Sequence, residues 1–429
     1  MTFYYICKKK TSKKYLKITL ILLLFIGHSC SEDSFDDNNS NVTSPFTVIE
    51  YFSIDVQKSY SKPVFTHYMP WFESPEFAEY PNTQMGNWGI HWTMSNKNPE
   101  NIDANGKREI ASHYYPLIEP YDNGEDDYLE YAVICMKLTG LDGILIDYAG
   151  ITEVNDWKLL HDHTLAIIPW LEKAGLEFGI VYEDSALKNA FEQSLITDKV
   201  IEGKRVMHYM DNNFFSKSNY LKINNKPLLM NFGPQALFTD ADWNTIFLDI
   251  QDINFATLPY TIDNYSLNTS TNGEFVWVGE TVDEIFYQHC SQYDIVVGGA
   301  MPEFKDYYLE GDWGNGYTDY DGMNGLLFDQ TLQRSNNYDI DLLQIITWND
   351  YGEGTIIEPT LEFGYSRLEQ IQSFLGVSYR SDDLSLAVKL YQKRKEHKGK
   401  VLENKKLDQI FFYLISLQIE KAKTLLNEI

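Results

Sequence analysis

From about Val64 to Asp350 the chain alternates short, β-branched apolar runs with stretches of helical periodicity, and it does so eight times. The strand candidates are 63–68, 143–148, 178–184, 227–232, 255–258, 274–278, 295–301 and 343–350. Helical patterns over 156–173, up to about Asn219, and near 242–251 separate several of them. Continuous apolar runs, rather than clean alternation, belong to parallel strands covered on both faces. Eight such units over ~320 residues predict a (β/α)8 barrel with long loops, on the long side of the usual ~250. A doubly wound open sheet would call for a Gly-rich phosphate turn after an early strand. No G-x-G-x-x-G or Walker A motif is present. After Ser381 the composition turns helical and Lys-rich, which predicts a helical hairpin over 381–429 packed on the barrel or on a partner.

The segment before the barrel reads differently. Residues 1–29 carry six Lys and no acid, and end in the apolar run 18–26 followed by Gly27-His28-Ser29-Cys30. A basic region followed by ~7–15 apolar residues predicts a secretion signal too short to span a bilayer stably. Cys30 directly behind it resembles the acylated Cys of bacterial lipoproteins, although Gly27 stands where that pattern prefers Leu, Val or Ile. Residues 31–41 are acidic and Asn-rich, similar to the leader of surface-exposed lipoproteins of Bacteroidetes-type bacteria. The expected organisation is a signal over 1–29, an acidic tether and lead-in over 30–60, a barrel over 61–380 and helices over 381–429. The expected location is the outer membrane, lipid-anchored and surface-exposed.

Charge narrows the ligand. The chain has 62 Asp and Glu against 35 Lys and Arg, a formal charge of −27. Loss of the six lysines of residues 1–29 takes −27 to −33. That balance excludes a phosphate-backbone binder, which needs basic surface. Aromatic residues make up 15% of the chain, with 30 Tyr and 9 Trp. Such rings stack on bases, sugar rings or protein partners, and the charge argues against bases. Cys135 and Cys290 sit in apolar or helical contexts that suit buried thiols.

Active sites of (β/α)8 barrels lie at the C-terminal ends of the strands. Here the strand candidates end in His67-Tyr68, Asp147-Tyr148, Glu183-Asp184, Asn231, Trp277 and Trp348-Asn349-Asp350. Each ending alone is an ordinary loop start or helix cap; six on one rim predict a site. The densest stretch is Thr347-Trp348-Asn349-Asp350-Tyr351-Gly352-Glu353-Gly354, continuing to Glu358. Two carboxylates three residues apart on a Gly-containing turn can face one cavity, with Trp348 and Tyr351 as apolar walls. A carboxyl against such walls is pushed toward protonation while a better-solvated neighbour stays ionised. Glycosidic bond cleavage needs that division of roles. The competing reading is a structural turn whose acids cap the next helix.

The stretch Trp348-Asn-Asp-Tyr-Gly-Glu353 resembles the signature of glycoside hydrolase family 71, the fungal α-1,3-glucanases. Its continuation Gly354-Thr355-Ile-Ile-Glu358-Pro resembles family 99, the endo-acting α-mannosidases and α-mannanases. Segments 66–72, His91-Trp92, 111–116 and Leu141-Asp142-Gly143 to Asp147-Tyr148 are similar to family 99 in the same order. The resemblance spans roughly 62–376, with Asp350 standing where family 99 has Glu. It implies a hydrolase of α-linked polysaccharide, α-mannan or α-glucan, with Asp350 and Glu353 as the catalytic pair. Glu353 would be the general acid. Asp350 would assist the sugar's own 2-hydroxyl, as in family 99, or the pair would direct inversion, as in family 71. No cofactor is implied.

Secondary candidates follow from position. His67, Tyr68 and Trp71 are expected to line a sugar subsite, and His91-Trp92, on a long Asn- and Pro-rich loop, to offer a stacking platform. Asp147, Tyr148, Glu183, Asp184, Asn231 and Asn349 are expected to meet hydroxyls, Trp277 to stack, and Glu358 to position the turn. The loop 306–321, rich in Gly, Asp and aromatics, lacks EF-hand spacing and is expected to contact glycan. His161-x-His163 is expected to be helix-start structure rather than zinc. The alternative to an enzyme is a surface glycan-binding lipoprotein of the same fold that has lost catalysis.

Overall fold

The computed structural model describes residues 46–77, 87–258, 270–279, 286–288 and 290–429. The expected signal, Cys30 and the acidic leader lie outside the described residues.

Eight parallel strands close on themselves: β1 (Val64–Tyr68), β2 (Gly143–Tyr148), β3 (Glu177–Tyr182), β4 (Lys226–Asn231), β5 (Asn254–Thr257), β6 (Gly273–Phe275), β7 (Ile295–Ala300) and β8 (Leu342–Ile345). β1 pairs with β2 (Phe65 opposite Gly143) and with β8 (Val64 opposite Leu343). The pairing of β3 with β4, Ile180 opposite Leu229, completes the ring. A two-residue antiparallel strand, Lys222–Ile223, is an outlying flap on β4. The (β/α)8 barrel expected from the apolar runs is therefore the observed fold.

Period-2 alternation sends neighbouring side chains to opposite faces. Phe65, Leu145, Val181, Met230, Phe275 and Val297 fill the barrel interior. Their neighbours Tyr68, Ile144, Tyr148, Ile180, Leu229 and Ile345 pack outward against the helical layer. That layer includes Asp126–Thr139 between β1 and β2, Trp157–Ala174 after β2, Ser185–Glu192 and Lys199–Met210 after β3, Leu326–Arg334 before β8, and Ser366–Leu375 after it.

Several elements differ from expectation. The helix expected near 242–251 is Asp240–Ile246, started by Thr239, whose hydroxyl accepts the Asp242 N–H. β6 stops at Phe275, leaving Trp277 beyond the strand. β8 stops at Ile345 because the chain then folds back on itself. Thr347 N–H donates to Thr355 C=O, and Ile357 N–H to Thr347 C=O. The Ile346–Thr347 peptide is cis. The C-terminal hairpin is three helices, Ser381–Glu396, Val401–Ile415 and Ile419–Leu426. The first docks on Asp126–Thr139, where Arg394 forms ion pairs with buried Glu130 and with Asp408, each at 2.7 Å. Within the expected lead-in, Ile49 is bonded in both directions to the Gln409 amide, and Ile54 N–H donates to Ile415 C=O. Cys135 and Cys290 are free, buried thiols.

Candidate active site

The turn behind β8 is built by its own polar groups. Asp350 N–H donates to the Thr347 hydroxyl at 2.8 Å, and Gly354 N–H to Asp350 C=O at 2.9 Å. Asp350 Oδ1 accepts the Glu353 N–H at 3.1 Å. Gly354 adopts φ +69°, and a Cβ there would meet the Lys305 carbonyl oxygen at 2.6 Å. The turn thus packs directly on the loop that follows β7. On the opposite side Asn349 works as a clamp: its Oδ1 accepts Met69 N–H at 2.8 Å and its Nδ2 donates to Met69 C=O at 2.9 Å. This ties the end of β1 to the turn.

Asp350 and Glu353 open onto a cavity of about 580 Å³ lined also by Trp71, His91, Met94, Tyr308, Trp313, Asn315 and Tyr317. Trp71 and His91 stack face to face, centroids 4.3 Å apart at 10°. His91 Nε2 lies 3.5 Å from Asp156, and the half-exposed Trp313 ring stands 5.9 Å from His91.

Four acids in and beside this cavity are raised. Burial pushes Asp350 up to about 7, against the pull of backbone N–H bonds from Glu353 and Gly352. Burial, then the charge of Asp350, pushes Glu353 well above the usual carboxylate range, while the Tyr308 hydroxyl opposes the shift. Glu183 is raised to about 7 by burial. Asp147 is raised further by burial and by the charges of Glu183 and Asp350. Burial raises all four, and neighbouring charges add to it at Glu353 and Asp147, so the cluster retains protons to donate at neutral pH.

The expected site residues divide sharply. Asp350, Glu353, Trp71 and His91 line the cavity. Asp147 and Glu183 reach the pair electrostatically from the β2 and β3 ends. The remaining candidates are not among the cavity-lining residues. Tyr68 and Tyr148 belong to the outward face, their hydroxyls bonded to Asn123 and His161. His67 is buried inside the barrel, its ring edge-on to Trp277 at 4.7 Å, and burial drives it down to about 3, so it stays neutral. Asp184 accepts the backbone N–H groups of Gln235, Ala236 and Leu237, and Asn231 donates to it. Those two anchor the β4 loop. Trp92 is not on an open loop: it sits on the short helix Gly89–Thr93, buried, its indole N–H on the Tyr121 carbonyl. Trp348 and Tyr351 are buried in the outer core, and Glu358 accepts both the Tyr121 and Tyr351 hydroxyls there, at 2.7 and 2.9 Å.

Of the cavity residues named, Met94 lies outside every segment the sequence pointed to. The loop 306–321 does supply Tyr308, Trp313, Asn315 and Tyr317 to the cavity wall. Asp306 shapes it, accepting the N–H of Tyr308 and that of Tyr317. His161 and His163 are engaged by Tyr148 and by the Pro70 carbonyl. Among the described residues no cluster of three or more His, Cys, Asp or Glu could hold a metal ion.

No family model matches the chain, and no curated protein does. Solved structures do resemble it. An endo-α-mannosidase of glycoside hydrolase family 99 from Bacteroides thetaiotaomicron aligns with a TM-score of 0.54 at 14% identity, covering 77% of this chain and 99% of that one. A glycoside hydrolase-like protein aligns with a TM-score of 0.50 at 13% identity, covering 78% and 97%. At these identities the likeness establishes the shared barrel fold.

Proposed function

We propose that this chain is a glycoside hydrolase that cleaves α-linked polysaccharide, α-mannan or α-glucan, with Asp350 and Glu353 as its catalytic pair. The observation that carries this is two buried carboxyls on one turn at the C-terminal end of β8, both lining an aromatic-walled cavity and both raised by burial. The fold shared with a family 99 endo-α-mannosidase supports the same reading, as does the resemblance of the motif 348–358.

Glu353 is the general acid, the role that the resemblance of the motif 348–358 implies: it protonates the glycosidic oxygen as the bond to the anomeric carbon breaks. Asp350 accepts the proton of the attacking group, the sugar's 2-hydroxyl or a water. Glu353, now ionised, serves as base if a second step follows. Trp71, His91 and Trp313 supply apolar faces for sugar rings. The basic, apolar leader and Cys30 support a lipid-anchored location at the outer membrane, with extracellular glycan as substrate.

The test is incubation of the protein with yeast α-mannan, α-1,3-glucan and other α-glucans while following new reducing ends. Release from at least one is expected. Retention of glycan without turnover on all of them would favour the non-catalytic glycan-binding alternative.

A further inference from the structure

The Tyr308 hydroxyl lies 3.1 Å from Oε1 of Glu353. Its position is fixed from several sides. Asp306 Oδ1 accepts the Tyr308 N–H at 2.9 Å, and the Tyr308 carbonyl accepts the Trp313 N–H at 2.8 Å. Lys305 N–H donates to the Glu353 carbonyl and Tyr307 N–H to that of Gly352, both at 2.8 Å. The β7 loop is therefore laced to the turn that carries the acid. Asp306 Oδ2 takes the Tyr317 N–H, closing the loop on itself, and His113 Nε2 lies 3.0 Å from the Asp306 carbonyl. Burial and the charges of Glu353 and Asp350 push the Tyr308 phenol above its ordinary range, so the hydroxyl stays protonated and donates.

We propose that Tyr308 is a positioning residue for Glu353: its hydroxyl holds Oε1 and favours the ionised carboxylate, so that one side chain can both give up a proton and take one back. The proposal rests on the assignment of Glu353 as general acid. The groups facing Glu353 are Asp350 on its own turn, Asp306 and Tyr308 on the β7 loop, and Glu183 beyond β3. The three acids and burial all favour the protonated form, and a carboxyl held that way would protonate a leaving group poorly. A neutral donor on the carboxylate counters them. In the first half of the reaction the proton leaves Glu353 for the glycosidic oxygen. In the second it returns from the attacking water, and no other co-reactant is needed.

The experiment is a ¹³C NMR titration of glutamate carboxyls in the full chain, with Glu353→Gln identifying the resonance. Tyr308→Phe removes one oxygen and keeps the ring. The Glu353 midpoint is expected to rise by on the order of one pH unit in Tyr308→Phe, and to stay in place in Tyr317→Phe, which alters the same loop. On a cleaved glycan, the alkaline limb of kcat/KM should move upward with it. An unmoved midpoint in Tyr308→Phe, or an equal movement in Tyr317→Phe, overturns the proposal. The titration needs no turnover, so a protein that cleaves nothing refutes the functional reading while this measurement still decides the role of Tyr308.

Discussion

Replacing Glu358 by glutamine tests how the buried network behind the site is maintained. Glu358 is fully buried, and its Oε2 accepts the hydroxyls of Tyr121 and Tyr351. Tyr121 also receives the Asn349 amide at 3.3 Å, which links this carboxyl to the clamp on Met69. Burial raises Glu358 from 4.5 to about 8, although both tyrosines pull it down. The folded protein therefore holds a proton on Glu358 that the unfolded chain releases above about 4.5. With more protons bound in the native state, stability falls as pH rises between those two values. At 1.36 kcal/mol per unit, the penalty is under about 1 kcal/mol at pH 5 and about 4 kcal/mol at pH 8. Glutamine presents an amide oxygen to both tyrosines and has no proton to lose. Denaturant unfolding of wild type and Glu358→Gln at pH 5, 6, 7 and 8 cancels the other titrating groups in the difference. That difference should move by about 3 kcal/mol in favour of the variant from pH 5 to pH 8. Parallel stability curves would refute the argument that the carboxyl is kept neutral by burial.

Other outcomes follow from the same geometry. Asn349→Ala leaves the buried N–H and C=O of Met69 unpartnered, and should cost about 2–4 kcal/mol in denaturant unfolding, with turnover falling as the turn detaches from β1. Trp313→Ala, at a half-exposed ring, should leave the melting temperature within a degree or two. Its KM should rise roughly three- to tenfold with little change in kcat, the worth of one ring contact. Hydrolysis should show a bell-shaped pH profile with its acid limb near 7, where Asp350 ionises. Any residual activity of Asp350→Asn should have an alkaline limb at lower pH, because a negative charge beside Glu353 has been removed.

The strands and the turn that carries Asp350 and Glu353 were legible because both rest on local pattern. β-branched runs marked the barrel, and the Trp-Asn-Asp stretch marked the end of β8. Which rim residues reach the cavity was less legible, though part of the answer was available. Adjacent residues on a strand face opposite ways, so of His67 and Tyr68, or Asp147 and Tyr148, only one can turn inward. Tyr68 and Tyr148 took the outward side, against the helices. Asp184 and Asn231 look like sugar-binding groups in sequence, yet Asp184 accepts backbone N–H groups of a loop more than 50 residues away, and Asn231 donates to Asp184. Tyr308 lies in the aromatic loop 306–321 that the sequence marks as glycan-contacting, but nothing local distinguishes it from its neighbours there. Its meeting with Glu353, 45 residues downstream, depends on how the β7 and β8 loops pack.

The most direct test of the account is an anomeric-proton NMR time course of α-mannan and α-1,3-glucan digestion by wild type and Glu353→Gln side by side, with oligosaccharide binding measured on both. Wild type is expected to cleave at least one glycan, Glu353→Gln to lose at least about 100-fold, and the two proteins to bind similarly. Cleavage by Glu353→Gln at the wild-type rate, or none of these glycans cleaved by wild type, would contradict the account.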